Sequence, residues 1–301
     1  MLRIGSRGSP LALWQARWIA QRLKAAGVDS RIEVVKTTGD TILDVALAKV
    51  GVKGLFTKEL EEGLLAGTLD LAVHSLKDMP TQLPEGLVLA AIPEREDARD
   101  AVVGASLAEL GRDARVGTSS LRRAAQLRAL RPKLVVEPVR GNLDTRLRKL
   151  DEGRYDALVL AAAGLKRLGL AERIRELLPV EVMCPAVGQG ALAVEARDQD
   201  GAAMEACRLL DHASTRVAVT AERALLAGLG GGCQVPIGAH ARLVDGALHL
   251  RAVVISPDGR QVVRRQTHGP EADAAALGSE LARELLAAGA DDILAEVYGA
   301  A

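Results

Sequence analysis

The sequence has no apolar run approaching the ~20 residues that a bilayer-spanning helix requires. Its N-terminus, Met1-Leu2-Arg3-Ile4, lacks the charged leader and long apolar core of an export signal, so the expectation is a cytoplasmic chain that stays off membranes. Cysteine is scarce. Cys184, Cys207 and Cys233 cannot all pair, show no CxxC spacing and lie far apart, which argues against a disulfide framework and a zinc module. We expect no metal. Net charge is also missing: 39 Lys+Arg balance 39 Asp+Glu, so no global basic field advertises nucleic acid, and any anion site must be local. Asparagine occurs once, at Asn142, which with few Met and Cys fits a heat-adapted source. No repeat, low-complexity tract or coiled-coil heptad is present.

What is there is enough apolar sequence, 49% of 301 residues, for two or three buried cores. The cations are uneven in kind, 30 Arg against 9 Lys. Guanidinium grips carboxylate with a planar fork, although a GC-rich genome produces the same bias.

Strand and helix patterns alternate through the N-terminal part: strands over 2–5, 31–35 and 69–73, helices over 9–26 and near 58–66. Ser9 caps the first helix, Pro10 takes its first position and Gly27 stops it. A charged turn, Glu94-Arg95-Glu96-Asp97-Ala98-Arg99-Asp100, precedes a second alternating block with strands over 101–103, 115–117, 134–137 and 157–160. After about Ser214 the pattern changes to a helix, a glycine run and three strands (237–244, 247–255, 261–267) joined by tight Asp245-Gly246 and Pro257-Asp258-Gly259 turns. Connections this short require antiparallel neighbours, and a closing helix over 271–288 should cover one face. The expectation is therefore two α/β domains and an α+β third domain.

Several motifs carry chemistry. Gly117-Thr118-Ser119-Ser120-Leu121-Arg122-Arg123 follows a strand and opens a helix, where backbone N–H groups, hydroxyls and guanidiniums make an anion cradle; an ordinary Ser-capped helix with solvated arginines is the plainer reading. Arg140-Gly141-Asn142-Leu143-Asp144-Thr145-Arg146 repeats the arrangement after the next strand. Carboxyl ends of adjacent strands are where open α/β sheets bind ligands. Ser6-Arg7-Gly8-Ser9 and His74-Ser75-Leu76-Lys77-Asp78 hold the corresponding turns of the first domain, so both domains are expected to aim cations at one cleft. Asp78 stands out as a carboxylate among cations, or else it simply neutralises Lys77. His74 ends an apolar strand and reads as structural. The 38–58 segment, punctuated by Gly39, Gly51, Gly54, Lys49, Lys53 and Lys58, reads as a lid or a plain surface excursion. Gly230-Gly231-Gly232-Cys233-Gln234-Val235-Pro236 puts a thiol on an open loop, whereas Cys184 and Cys207 read as buried filler.

In this order the motifs resemble the porphobilinogen deaminases over essentially the whole chain. The matching runs also include Arg7-Gly8-Ser9-Pro10-Leu11-Ala12-Leu13, Lys53-Gly54-Leu55-Phe56, Leu165-Lys166-Arg167-Leu168-Gly169 and Pro185-Ala186-Val187-Gly188-Gln189-Gly190. The resemblance implies two lobes like those of periplasmic binding proteins, over 1–93 with 191–208 and over 99–184. It implies a small α+β domain over 213–301 with a three-stranded antiparallel sheet. It implies a dipyrromethane cofactor on Cys233, Asp78 as catalytic carboxylate, and Arg7, Arg122, Arg123, Arg140, Arg146 and Arg167 as partners of substrate or cofactor carboxylates. Lys77, Ser9, Thr118, Ser119 and Ser120 would assist, with Lys53 and Phe56 on the lid-like segment.

The implied reaction is hydroxymethylbilane synthesis, in which four porphobilinogen molecules condense head to tail on a covalent primer and each loses ammonia. The implied partner is that substrate alone, with no nucleic acid and no membrane, and the expected state is a monomer. On the residues alone, a two-lobed polycarboxylate-binding protein and a cysteine-nucleophile transferase stay open.

Overall fold

The structure, a computed structural model, describes residues 1–38, 57–231 and 235–299. In chain order its elements are β1 (Leu2–Ser6), α1 (Pro10–Ala25), β2 (Ser30–Val34), α2 (Lys58–Leu65), β3 (Leu71–Ser75), β4 (Leu87–Ala91), β5 (Asp100–Gly104), β6 (Arg115–Gly117), α3 (Leu121–Leu130), β7 (Val135–Glu137) and α4 (Leu143–Asp151). There follow β8 (Ala157–Ala161), α5 (Ala162–Arg167), β9 (Ile174–Leu177), β10 (Leu192–Arg197), α6 (Gly201–Arg208), α7 (Ala213–Gly228), β11 (Ile237–Val244), β12 (Ala247–Ile255), β13 (Val262–Pro270), α8 (Ala274–Leu285) and α9 (Asp291–Gly299). They form two compact units, Met1–Glu96 with Ala191–Arg216, and Asp97–Gly190 with Val217–Ala301.

The first unit is built on a sheet of order β2-β1-β3-β10-β4. Its first three strands run parallel and β10 runs antiparallel to both of its neighbours. The helix that follows β1 forms where its signals lie: Ser9 Oγ accepts from Ala12 N at 3.3 Å, Pro10 is the first helical residue, and Gly27 adopts φ +80° just beyond the end. Because side chains alternate along a strand, the sheet buries two different layers. Leu71, Val73, Leu192 and Val194 pack with Ile19 and Leu23 of α1 and Ala206 of α6. Ala72 faces the other way, against Leu60 and Leu64 of α2.

The second unit repeats the plan with order β7-β6-β8-β5-β9, in which β6, β7 and β8 are parallel and β5 is antiparallel to β8 and β9. Its other sheet, β11-β12-β13, is antiparallel throughout. Asp245 (φ +50°) and Gly246 (φ +80°) make the tight turn between its first two strands, a backbone shape that follows the sheet's right-handed twist. Leu225 of α7 and Leu281 and Leu285 of α8 close over Ala239, Leu248 and Leu250. The chain is thus α/β in both lobes with an α+β C-terminal part.

The closing helix differs from its expected span. A 3-10 turn occupies Glu271–Asp273, α8 begins at Ala274, and a wider turn at Leu286–Ala290 with Gly289 at φ +97° separates it from α9. That left-handed glycine breaks the helical ladder one residue past the expected end, and α9 follows as an element the expected span did not include. Among the described residues, no helix is long and apolar enough to cross a membrane.

Candidate active site

In the first unit β1 and β3 are adjacent and parallel, with Ile4 opposite Leu71 and Gly5 opposite Ala72. Their carboxyl ends therefore open on the same edge of the sheet. After β1 come half-buried Arg7 and the cap Ser9; after β3 comes a 3-10 turn, Leu76–Asp78, with Lys77 half-buried and Asp78 exposed. This turn is anchored by Leu76 N donating to Ala191 O and Met79 N to Leu76 O, both at 3.0 Å. Gln15 Nε2, on buried Gln15 of α1, donates to Ser75 Oγ at 2.8 Å and ties the two turns together.

The same logic gathers the second unit's motifs, since β7, β6 and β8 are parallel neighbours and end together. Past β6 the three hydroxyls build the turn. Thr118 Oγ1 accepts from Ser120 N at 3.3 Å, and Ser120 Oγ caps α3 by accepting from Arg123 N at 3.4 Å, so both keep a proton to donate. Ser119 Oγ commits its proton to Val139 O at 2.6 Å and can only accept further bonds. Past β7, Asn142 caps α4 and Arg146 Nε donates to Gly141 O at 2.8 Å. Arg140 is exposed, and its carbonyl accepts from Lys149 Nζ. Past β8, buried Arg167 at the end of α5 donates from Nη2 to Gly190 O at 2.7 Å.

Arg122 and Arg123 are buried rather than solvated, 4% and 6% exposed. Both close on Asp100, which has no exposed surface: Arg122 Nη1 reaches Oδ2 at 2.7 Å, and Arg123 Nε and Nη2 reach Oδ1 at 2.9 and 2.7 Å. Gln189 Nε2 adds a bond to Asp100 Oδ1 at 2.8 Å, and its Oε1 accepts from Arg123 Nη2 at 3.2 Å. Arg122 Nη1 also donates to Cys184 O at 2.6 Å, whereas Arg122 Nε is buried with no acceptor. Burial, aided by the charge of Arg123, pushes the Arg146 pKa down. Two buried guanidiniums thus share one carboxylate, an excess of one positive charge that a bound anion would relieve.

Asp100, Gln189 and Gln15 escaped the sequence reading. Asp100 closes a run of alternating charge that reads as a solvated turn, and Gln189 was legible only as part of a matching motif. Lys53, Phe56 and Cys233 lie outside the described residues. The other two thiols are buried, and burial pushes both up to about 12, as inert filler requires. Among the described residues no group of three or more His, Cys, Asp or Glu could hold a metal ion.

Comparison with known proteins agrees with this geometry. Residues 2–205 match the family model "porphobilinogen deaminase, dipyromethane cofactor binding domain", and 216–287 match the porphobilinogen deaminase C-terminal domain. A porphobilinogen deaminase of Desulforudis audaxviator (strain MP104C) is 57% identical over 99% of this chain and 98% of its own length. Among solved structures, a nutrient-binding protein from Burkholderia cenocepacia bound to methionine is similar at 14% identity, TM-score 0.43, over 69% of this chain and 90% of its own. A periplasmic substrate-binding protein of an ABC transporter from Coxiella burnetii is similar at 14% identity, TM-score 0.44, over 70% and 92%. Matched by both family models and by a relative of its own length, the chain belongs to the porphobilinogen deaminase family.

Proposed function

We propose that Asp78 is the catalytic carboxylate of this enzyme, that Cys233 anchors its cofactor, and that the arginines grip acetate and propionate groups. The activity is hydroxymethylbilane synthesis, a transferase reaction of tetrapyrrole biosynthesis whose substrate is porphobilinogen. The observation that carries the site assignment is the buried surplus of guanidinium around Asp100, with Arg122 Nε left without an acceptor. The dipyrromethane cofactor, which bears carboxylates, fits that surplus: Arg122, Arg123, Thr118 and Ser120 would hold it. When bound it supplies a free pyrrole α-carbon as nucleophile.

Porphobilinogen loses ammonia to give a pyrrolic cation. An exposed Asp78 at the sheet edge suits that charge: its carboxylate accepts the pyrrole N–H, stabilises the cation and receives the proton released after carbon–carbon bond formation. Arg7, Ser9 and Lys77, at the ends of the adjacent strands, orient the substrate's carboxylates, with Lys53 and Phe56 contributing from their segment. Arg140, Arg146 and Arg167 serve the growing chain. A charge-assisted hydrogen bond contributes on the order of 1.5–3 kcal/mol, enough for a few to orient a ring and too much for all to hold equally if product must leave.

The same reading has the enzyme working as a cytoplasmic monomer, and it takes no nucleic acid as partner, which the absence of a formal net positive charge supports. It divides the chain into domains over 1–93 with 191–208, 99–184 and 213–301; the separate apolar core beneath the antiparallel sheet supports the last.

One experiment tests the assignments. Intact mass should show a two-pyrrole excess on the parent and on Asp78→Asn but none on Cys233→Ser. Single-turnover addition of porphobilinogen to loaded Asp78→Asn should be slower by ~10²–10⁴-fold, because charge and proton transfer are both lost. Asp78→Glu, which misplaces the charge by about one bond, should lose roughly 10²-fold at most. A parental rate in Asp78→Asn would remove Asp78 from the chemistry, and pyrrole retained by Cys233→Ser would remove the attachment.

A further inference from the structure

The layer between the first unit's sheet and α2 should be apolar, and Leu60, Leu64, Leu69, Ala72 and Leu87 make it so. Yet three acid–base side chains are buried in it. His74, second-last residue of β3, and Glu195 of β10 point to that face by strand alternation, and His74 Nε2 meets Glu195 Oε2 at 3.0 Å with both side chains almost wholly shielded. Glu61 of α2 is 8% exposed. Of the five buried side-chain atoms without a hydrogen-bond partner among the described residues, three belong here: Thr57 Oγ1, Glu61 Oε1 and Glu195 Oε1.

An unpartnered buried oxygen is costly, and a carboxyl buried near another carboxylate favours its protonated form. Burial pushes the Glu61 pKa up; the Thr57 hydroxyl, which lies beside the carboxyl without well-formed hydrogen-bond geometry, draws it down, as does His74, while the nearby charges of Glu195 and Glu62 push it up. A proton on Glu61 would answer both problems, its O–H turning to the free Glu195 oxygen while the other Glu195 oxygen keeps its bond to His74.

We propose that a proton shared by Glu61 and Glu195 completes a buried relay, Glu61–Glu195–His74, that positions the turn bearing Lys77 and Asp78. The proposal rests on Asp78 being the catalytic carboxylate. The relay grips β3 one residue before the ladder ends, where Leu192 pairs with Ser75 and Ala193 with His74. Beyond it the Leu76-to-Ala191 and Met79-to-Leu76 backbone bonds help to hold the turn. If the relay is lost, the strand end can shift, and a displacement of about 1 Å at a reacting group costs on the order of 10²-fold in rate.

The test uses the loaded enzyme in three variants. Glu195→Gln, which cannot accept from both sides, should lower kcat roughly tenfold or more with KM within about threefold, and should speed amide exchange at Leu76 and Met79 by a similar factor. Glu61→Gln keeps a donor toward Glu195 and should hold kcat and exchange near the parent. Glu61→Leu removes the donor but fills the layer, so it should melt no lower than the parent while losing kcat like Glu195→Gln, a split that packing alone does not produce. Parental kcat in Glu61→Leu, or parental exchange at Leu76 in Glu195→Gln, would overturn the relay. Should Glu195→Gln fail to fold, Glu61→Leu against Glu61→Gln decides alone. A parental rate in Asp78→Asn would overturn the reading of Asp78 itself and the positioning role with it, whereas a slow Asp78→Asn beside a fast Glu61→Leu would overturn the relay only.

Discussion

Asp100 shows how far a single residue can depart from what its neighbours in sequence suggest. Burial pushes its pKa up, but the charges of Arg122 and Arg123 and their hydrogen bonds outweigh burial and hold it below the ordinary carboxylate range. A depressed folded-state pKa contributes stability that is present above the unfolded value near 3.8 and lost as the pH falls through the folded value. Asp100→Asn should therefore destabilise the enzyme across the neutral range, by about 3–5 kcal/mol if two buried guanidiniums are left uncompensated. The gap between variant and parent should narrow only in strong acid. Chemical denaturation at pH 7 and pH 3 checks both statements; equal midpoints at pH 7 would mean that the cations are neutralised elsewhere. The plainer sequence reading, solvated arginines on a capped helix, fails because the partner lies 22 residues away at the start of another strand. His74 and Glu195, 121 residues apart, were hidden in the same manner.

At the scale of elements, the turns that matter were legible because their chemistry is local. A strand followed by Gly, Ser and Arg and then a helix marks the edge where ligands bind, and Thr118 and Arg140 sit just beyond the ends of parallel strands, whereas Arg167 lies at the far end of the short helix that follows β8. Asn142, the sole asparagine, is an N-cap whose Oδ1 accepts from Thr145 N at 3.1 Å and Thr145 Oγ1 at 2.9 Å. Gly141 before it has φ +108°, and a Cβ there would meet Thr145 Cγ2 at 2.6 Å. Asn142→Ala should cost about 1 kcal/mol, and Asn142→Asp should keep most of the cap. Thermal melts of the two variants separate these outcomes. By contrast, β4, β9 and β10 left no clear pattern. Two are four or five residues long, and the third, Leu-Ala-Val-Glu-Ala-Arg, carries a fully buried glutamate in a position that alternation assigns to solvent.

For the molecule as a whole, the decisive feature is that the chain passes between the two units three times. Strand β10, synthesised after the second passage, sits between β3 and β4 and pairs with both. A fragment of residues 1–96 therefore lacks the strand that joins β4 to its sheet and should show no cooperative unfolding. Joining 191–216 to it through a flexible linker should restore a cooperative transition, as followed by circular dichroism. A cooperative melt of 1–96 alone would show that β10 is dispensable.

The same insertion sets an order of events on the ribosome. Every strand of the second lobe's sheet lies between residues 100 and 177, so that sheet can close while the first is still waiting for Leu192–Arg197. At translation speeds of ~5–20 residues per second, the hundred-odd residues between β4 and β10 take about 5–20 s to emerge. Through that interval the earliest-made part of the polypeptide presents two unpaired strand edges to the cell, and the part made later folds first.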